Sequence, residues 1–186
     1  KEGNIYVVDY GNNRIQKFTS DGKFLSKWTN VWARGIAAGD NGNIYVGQGG
    51  NVTTYDSNGA AIISWGSSGS GEGEFASPSG ISIDGDGSVF VADAGNGRIQ
   101  KFTASGTFIT SWYGAYLQGL AMNGNGDLYG VNLWEKSVYA FKPNGESIGK
   151  WKYNSSTAEG YFPTGIAIDT SGNIYVADYE DYCIKK

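Results

Sequence analysis

The sequence predicts an all-β fold that repeats one four-stranded antiparallel unit. Three observations carry this expectation. A string of one type recurs five times, as GNIYV at 3–7, GNIYV at 42–46, GSVFV at 87–91, GDLYG at 126–130 and GNIYV at 172–176. Within such runs apolar and polar residues alternate with period two, and β-branched and aromatic residues dominate. Between the runs sit Gly-, Asn- and Asp-rich turns, which supply the positive φ that tight hairpins need.

The clearest unit spans residues 77–112, with strands expected at 80–84, 88–93, 98–102 and 107–112. Asp84 to Gly87, Gly95 to Gly97 and Ser105-Gly106 form its turns. Its first strand has counterparts at 35–38, 119–123 and 165–169. The repeated string above is the second strand. The third recurs as RIQKF at 14–18, VTTY at 52–55, RIQKF at 98–102 and VYAF at 138–141, and the fourth ends at Trp28, Trp65, Trp112 and Trp151. Four strands per unit, a period of about 40 residues and a recurring Trp are the marks of β-propeller blades.

One propeller domain is therefore expected over 1–186, with blade parts at 1–28, 35–65, 80–112, 119–151 and 165–186. That is about four and a half blades: four first, five second, five third and four fourth strands. The expected context is a six-bladed or longer array, because an unfinished blade leaves ladder groups unpaired.

The blades also alternate. Successive second strands are 39, 45, 39 and 46 residues apart, so short links (29–34 and 113–118) alternate with long ones (66–79 and 152–164). The residue ending the second strand is Asp9, Gln48, Asp93, Asn132 and Asp178; the one opening the third is Arg14, Asn51, Arg98, Ser137 and Cys183. Asp and Arg come and go together in the first four blades. The expectation is two structural ion pairs, Asp9–Arg14 and Asp93–Arg98, each bracing a loop.

These motifs resemble the NHL repeat family, whose pattern runs through a Pro-x-Gly-Ile-Ala-x-Asp strand, a Gly-Asn-Ile-Tyr-Val-Ala-Asp strand, an Asn-x-Arg-Ile-Gln-Lys-Phe strand and a strand ending in Trp-Gly. PTGIAID at 163–169, GNIYVAD at 172–178 and WGSSGSGEGEF at 65–75 match it. The resemblance covers essentially the whole chain and implies the propeller fold. It leaves function open, since the family includes protein binders, RNA binders and a lyase.

Composition narrows the classes. The 186 residues include 30 Gly, no His and one Cys, Cys183, and the net charge is -4. Without His there is no His-based catalysis or metal site, which argues against the lyase branch, whose zinc site uses His ligands. The acidic balance argues against nucleic acid, and Arg34, Lys136 and Lys152 are too few for single-stranded RNA binding through a basic face. No apolar run is long enough to span a membrane or serve as a signal peptide. Asp84, Asp40, Asn123 and Asp169 fill turn positions. The turn after Asp84 fails the EF-hand spacing, because the twelfth position is Gly95. No catalytic residue, metal site or cofactor is expected; the alternative is a hydrolase or lyase with a carboxylate or calcium site at the channel mouth around Asp84 and Asp169.

The residues that the repeat does not demand are the candidates for binding. Trp32, Arg34, Tyr113, Tyr116, Trp134, Tyr153 and Tyr161 fall in links or in loops between second and third strands, which emerge on one face of a propeller. Tyr10 and Tyr179 lie in the same loop type. Such aromatics anchor protein partners or stack on sugars, and equally fill gaps between blades. The expected function is a non-enzymatic scaffold for protein or glycan binding, or for surface self-assembly through its own subunits. Asn51 and Asn154 head Asn-x-Ser/Thr triplets and are candidate glycosylation sites. With the Gly-, Asn-, Ser- and Thr-rich composition they point to an extracellular or cell-surface location.

Overall fold

The structure is a computed structural model that describes residues 3–153, 165–178 and 181–186. Five antiparallel sheets follow one another along the chain. Blade one holds β1 (Ile5–Asp9), β2 (Arg14–Phe18) and β3 (Phe24–Thr29). Blade two holds β4 (Ala33–Ala38), β5 (Ile44–Gln48), β6 (Asn51–Tyr55) and β7 (Ala61–Trp65). The next link contains a short parallel pair, β8 (Ser67–Ser68) with β9 (Glu74–Phe75). Blade three follows with β10 (Pro78–Ile83), β11 (Val89–Asp93), β12 (Arg98–Phe102) and β13 (Phe108–Tyr113). Blade four is β14 (Leu117–Met122), β15 (Leu128–Asn132), β16 (Ser137–Phe141) and β17 (Ser147–Lys152); blade five is β18 (Gly165–Ile168), β19 (Ile174–Asp178) and β20 (Cys183–Lys185).

The inner strands stand side by side around the axis, β4 against β10, β10 against β14 and β14 against β18, while β1 packs on β4. Their approach is close enough to dictate sequence. A Cβ on Gly35 would lie 1.4 Å from the carbonyl oxygen of Ser79, so only glycine fits there. The Ser79 hydroxyl lies 3.3 Å from the Ala92 carbonyl and 3.2 Å from that of Leu117, tying blade three to blade four.

The inner strands of blades two, three and four begin two residues earlier than the repeat predicts. Each gains those residues through a register shift, between Ala33 and Gly35, Pro78 and Ile81, and Leu117 and Gly119. A bulge re-aims the strand and frees the extra residue from the ladder. Arg34 and Gln118 occupy such positions at the mouths of blades two and four.

Between adjacent blades lies one apolar core each. Ile15, Trp28, Val31, Ile44 and Val46 join blades one and two; Tyr45, Trp65, Phe75, Val91 and Phe102 join two and three; Phe90, Ile99, Leu117, Leu128 and Phe141 join three and four. Val131, Val138 and Val176 join four and five. The recurring Trp residues belong to these seams. Trp28, Trp65 and Trp112 cover the outer-turn glycines of the following blade, Gly59, Gly106 and Gly145, whose Cβ atoms would clash with the indoles. Trp151 is exposed and stacks on Tyr129.

Candidate functional site

Strand order gives the propeller two chemically different faces. The links between blades and the loops between second and third strands open on one of them, the link face. The hairpins joining first to second and third to fourth strands open on the other, the turn face.

On the turn face the side chains of Asp84, Asn123 and Asp169 are committed to the backbone. Asp84 Oδ1 accepts the amide hydrogens of Asp86 and Ser88 at 3.1 and 2.7 Å, and its Oδ2 lies 3.6 Å from Lys101 Nζ. Asn123 Oδ1 accepts the amides of Asn125 and Asp127, both at 2.9 Å. Asp169 accepts from Ser171 and Asn173 amides, from the Asn173 side chain at 2.7 Å and from the Tyr175 hydroxyl at 2.9 Å. Those donors, led by Asn173, hold its pKa down to about 2. Charge so fully hydrogen-bonded serves the turn. Among the described residues no three His, Cys, Asp or Glu side chains converge on a metal position. Clefts between blades also open here, one of about 390 Å³ lined by Asn4, Tyr6, Asp40 and Ser57. No helix of the described residues is long and apolar enough to cross a membrane.

The link face is built differently. In the link 29–34 the chain alternates: Val31 and Ala33 are buried while Trp32 and Arg34 point out. The Val31 amide bonds to the Asn13 carbonyl at 3.0 Å, which fixes the strand that presents Trp32. The Arg34 guanidinium lies 5.8 Å from the ring centre of Tyr10, itself exposed. A second group stands over blades three and four. Ala115 and Leu117 are buried, whereas Tyr113 before them and Tyr116 between them are exposed. The ring of Tyr116 covers Gly97 in the neighbouring loop. Trp134 is exposed on the loop between β15 and β16. Tyr153 lies elsewhere: it is half-buried against the core of Val131, Val138 and Val176 and fills the seam between blades four and five. Tyr161, Asn154 and Tyr179 lie outside the described residues; Asn51 opens β6 and is half-buried.

Beneath these aromatics lies a polar device that alternates as the links do. Asp93 is fully buried, and its Oδ2 accepts from Arg98 Nε at 2.9 Å, Asn96 Nδ2 at 2.7 Å and Gln100 Nε2 at 3.3 Å. The same four residues hold the glycine-rich link 66–77. Its Ala76 amide donates to Asp93 Oδ1 at 2.7 Å and its Gly73 amide to Gln100 Oε1 at 3.0 Å. In return Asn96 donates to the Gly69 carbonyl, Arg98 Nη2 to those of Gly71 and Glu74, and Gln100 to Glu74, at 2.6 to 2.9 Å. Blade one repeats the quartet. Asp9 accepts from Arg14 Nε at 2.6 Å, from Asn12 at 2.9 Å and from Gln16 at 3.3 Å. The Arg14 guanidinium, with Asn12 beside it, holds the Asp9 carboxyl below the usual carboxylate range.

Blades two and four, reached by short links, use neutral groups at the same place. Gln48 donates to the Tyr55 hydroxyl at 2.8 Å, and Asn132 donates to the Ala115 carbonyl while accepting the Glu135 amide at 2.9 Å. In blade five Cys183 stands at the Arg position, and Lys185 approaches Asp178 to 4.0 Å instead. The Asn and Gln members of the quartet stand in the repeated Asn-x-Arg-Ile-Gln string of blades one and three, but the sequence reading gave them no part in the Asp–Arg pair.

Known proteins give the fold and its repeat a setting. The family model described as NHL repeat matches residues 1–18, 75–102 and 161–186. A stretch of 55 residues, 30% of the chain, is 44% identical to part of the E3 ubiquitin-protein ligase TRIM71 of Rattus norvegicus, of which it spans 6%. Virginiamycin B lyase from Staphylococcus aureus superposes with a TM-score of 0.73 over 99% of this chain and 62% of its own, at 13% identity. The WD40 β-propeller domain of Doa1 gives 0.73 at 11% identity over 60% of its length. At such identities these structures share the fold alone, and the chain spans less than two thirds of each.

Proposed function

We propose that this chain, which belongs to the NHL-repeat β-propeller family, is a non-enzymatic scaffold that binds a protein partner through its link face. One observation carries the reading: Trp32, Tyr113, Tyr116 and Trp134 are all exposed on links and loops of one face, and Arg34 sits on the bulge beside them. Trp, Tyr and Arg dominate the energetics of protein interfaces, because Trp and Tyr cover a large area with few rotors and Arg brings a planar fork of donors. The buried Val31, Ala33, Ala115 and Leu117 that alternate with them make the presentation rigid, so little entropy is lost when a partner docks. The opposite face supports no equal claim, since the Asp84 and Asp169 carboxylates are spent on hairpin amides and Asp127 on Lys142. The same reading places the protein outside the cytoplasm, on composition and on the triplets headed by Asn51 and Asn154; intact-mass measurement of native material tests the glycans.

The experiment is a double variant, Trp32→Ala with Trp134→Ala, compared with the parent by crosslinking capture in native extract and on a polysaccharide array. The expected result is loss of the captured proteins at an unchanged melting temperature. Capture that survives both substitutions overturns the reading, and retention on polysaccharide alone replaces it with glycan binding. A hydrolase or lyase activity abolished by Asp84→Asn or Asp169→Asn would overturn its non-enzymatic part.

A further inference from the structure

The loop between β15 and β16 replaces Gly95-Asn96-Gly97 of blade three with Trp134-Glu135-Lys136. The exchange puts bulk and charge where glycine would serve the turn better. Lys136 has φ +47°, in the left-handed region that glycine enters without strain, and Gly97 at the same place has φ +64°. Trp134 is 69% exposed, so burial of the ring does not offset the exchange.

The link facing this loop breaks a local rule as well. The Leu117 amide donates to the Gly114 carbonyl at 3.2 Å, closing a turn in which Ala115 and Tyr116 both have positive φ, +48° and +56°. Such turns select Asn and Gly, and residues with a larger side chain are strained in them. The strain is held in place, because Ala115 is buried and its carbonyl accepts from Asn132 Nδ2. Its effect is to lay the Tyr116 ring over Gly97 while leaving that tyrosine 47% exposed. Asn132 also accepts the Glu135 amide at 2.9 Å, so one side chain ties the turn of Tyr116 to the loop of Trp134. Strain kept in a surface loop points to function.

Charge is the third observation. The Tyr153 amide donates to the Lys136 carbonyl at 3.2 Å, and Lys152 pairs with Ser137 in the ladder, so the two lysines stand on adjacent backbone. Glu135 is taken by Lys150 at 2.5 Å. Among the described residues this end of blade four carries three ammonium groups, those of Lys136, Lys150 and Lys152, against one carboxylate, in a chain of net charge -4.

We propose that Tyr116, Trp134, Lys136 and Lys152 bind an acidic peptide segment of the partner protein, one that carries an aromatic residue among its Asp and Glu side chains. The inference rests on the link-face reading above and narrows it to blade four. The two rings offer faces and edges to the partner's ring. The ammonium groups stand at the rim, where opposite charge steers and orients an anionic segment. Two cations in excess suit a short run of carboxylates better than a nucleic-acid backbone, whose affinity grows with every phosphate neutralised.

The test uses two rhodamine-labelled peptides, GDEWDEFG and its neutral twin GNQWNQFG, each titrated with the chain and followed by anisotropy. Saturable binding of the acidic peptide below about 1 mM is expected, with the neutral twin about tenfold weaker. Trp134→Ala should weaken binding of the acidic peptide about tenfold at an unchanged melting temperature. Lys136→Gly is the sharper variant. It relieves the positive φ, so the melting temperature should hold or rise while binding falls about threefold. Trp32→Ala, on blade two, should bind as the parent does. No saturation with folded parent chain overturns the proposal, as does equal binding of the two peptides, parental binding by Lys136→Gly, or loss of binding in Trp32→Ala. Displacement of the peptide by a lower concentration of single-stranded oligoribonucleotide would assign the site to nucleic acid and reject it too. If the peptide fails while native capture is still lost in Trp32→Ala with Trp134→Ala, the acidic ligand alone is rejected and the link-face reading stands.

Discussion

Blades three and four are the same four-stranded sheet, yet they hold the chain that enters them by opposite means. Blade three receives a long glycine-rich link and fixes it with a buried carboxylate, a guanidinium and two amides. Blade four receives a short link and needs one bond from Asn132 to Ala115. A long loop lying on a protein surface exposes many amides and carbonyls that must be satisfied. Glycine provides the curl but no side chain to satisfy them, so the blade beneath must supply donors and an acceptor. From blade two to blade four link length goes with the residue that ends the second strand, Asp93 after the long link and Gln48 and Asn132 after the short ones. Blade five keeps Asp178 after its long link but carries Cys183 where Arg98 stands.

The largest expected effect comes from removing the centre of the device. Asp93→Ala leaves the part-buried Arg98 and the buried Gln100 without their carboxylate and frees the Ala76 amide; the cost should be about 3–5 kcal/mol. Asn132→Ala loses neutral hydrogen bonds in blade four and should cost about 1–3 kcal/mol. Urea unfolding of both variants, with hydrogen exchange of residues 66–77, measures the contrast. Equal losses, or a link that stays protected in Asp93→Ala, would break the comparison.

Much of this was legible in the letters, because repeats let a chain be compared with itself. Strands, hairpin turns, recurring Trp and the Asp–Arg partnership all follow from aligned positions. The target of that partnership was hidden, since the quartet grips backbone atoms and no letter records a backbone hydrogen bond. The bulges at Arg34 and Gln118 were hidden too, as the ladder that reveals them joins residues far apart in sequence. Tyr153 reads like Tyr113, yet it turns into the seam against Val176, a contact only the packing of blades four and five creates.

A smaller effect concerns one position in three blades. Gly11, Gly95 and Trp134 are equivalent, each two residues after the end of a second strand. Blade four holds an exposed Trp there because its short link leaves the surface open, whereas in blade three the Ala76 carbonyl fills the space. Gly95→Ala should destabilise by about 1–3 kcal/mol through that overlap. Gly11→Ala and Trp134→Ala should each stay within about 0.5 kcal/mol of the parent. Thermal unfolding of the three variants orders them, and a Gly95→Ala no costlier than Gly11→Ala would break the tie between the Ala76 contact and the loss.

The smallest effect separates buried from exposed charge. Glu135 of blade four occupies the place of Asn96 and meets Lys150 Nζ at 2.5 Å and the Tyr139 hydroxyl. Lys150, then Tyr139, lowers its pKa from the ordinary 4.5. A carboxyl whose folded pKa lies below its unfolded one stabilises the fold above about pH 4.5 and loses that contribution as pH falls through the folded value. Both partners are about two-fifths exposed, so salt should screen them, the Debye length being about 3 Å at 1 M. Side-chain NMR titration should therefore show the Glu135 midpoint rising towards 4.5 in 1 M salt and in Lys150→Met. The link 66–77 of blade three should keep its exchange protection in the same salt, since Asp93 is out of reach of ions. Blade four binding its loop salt-independently, or blade three releasing its link in salt, would erase the distinction between the two.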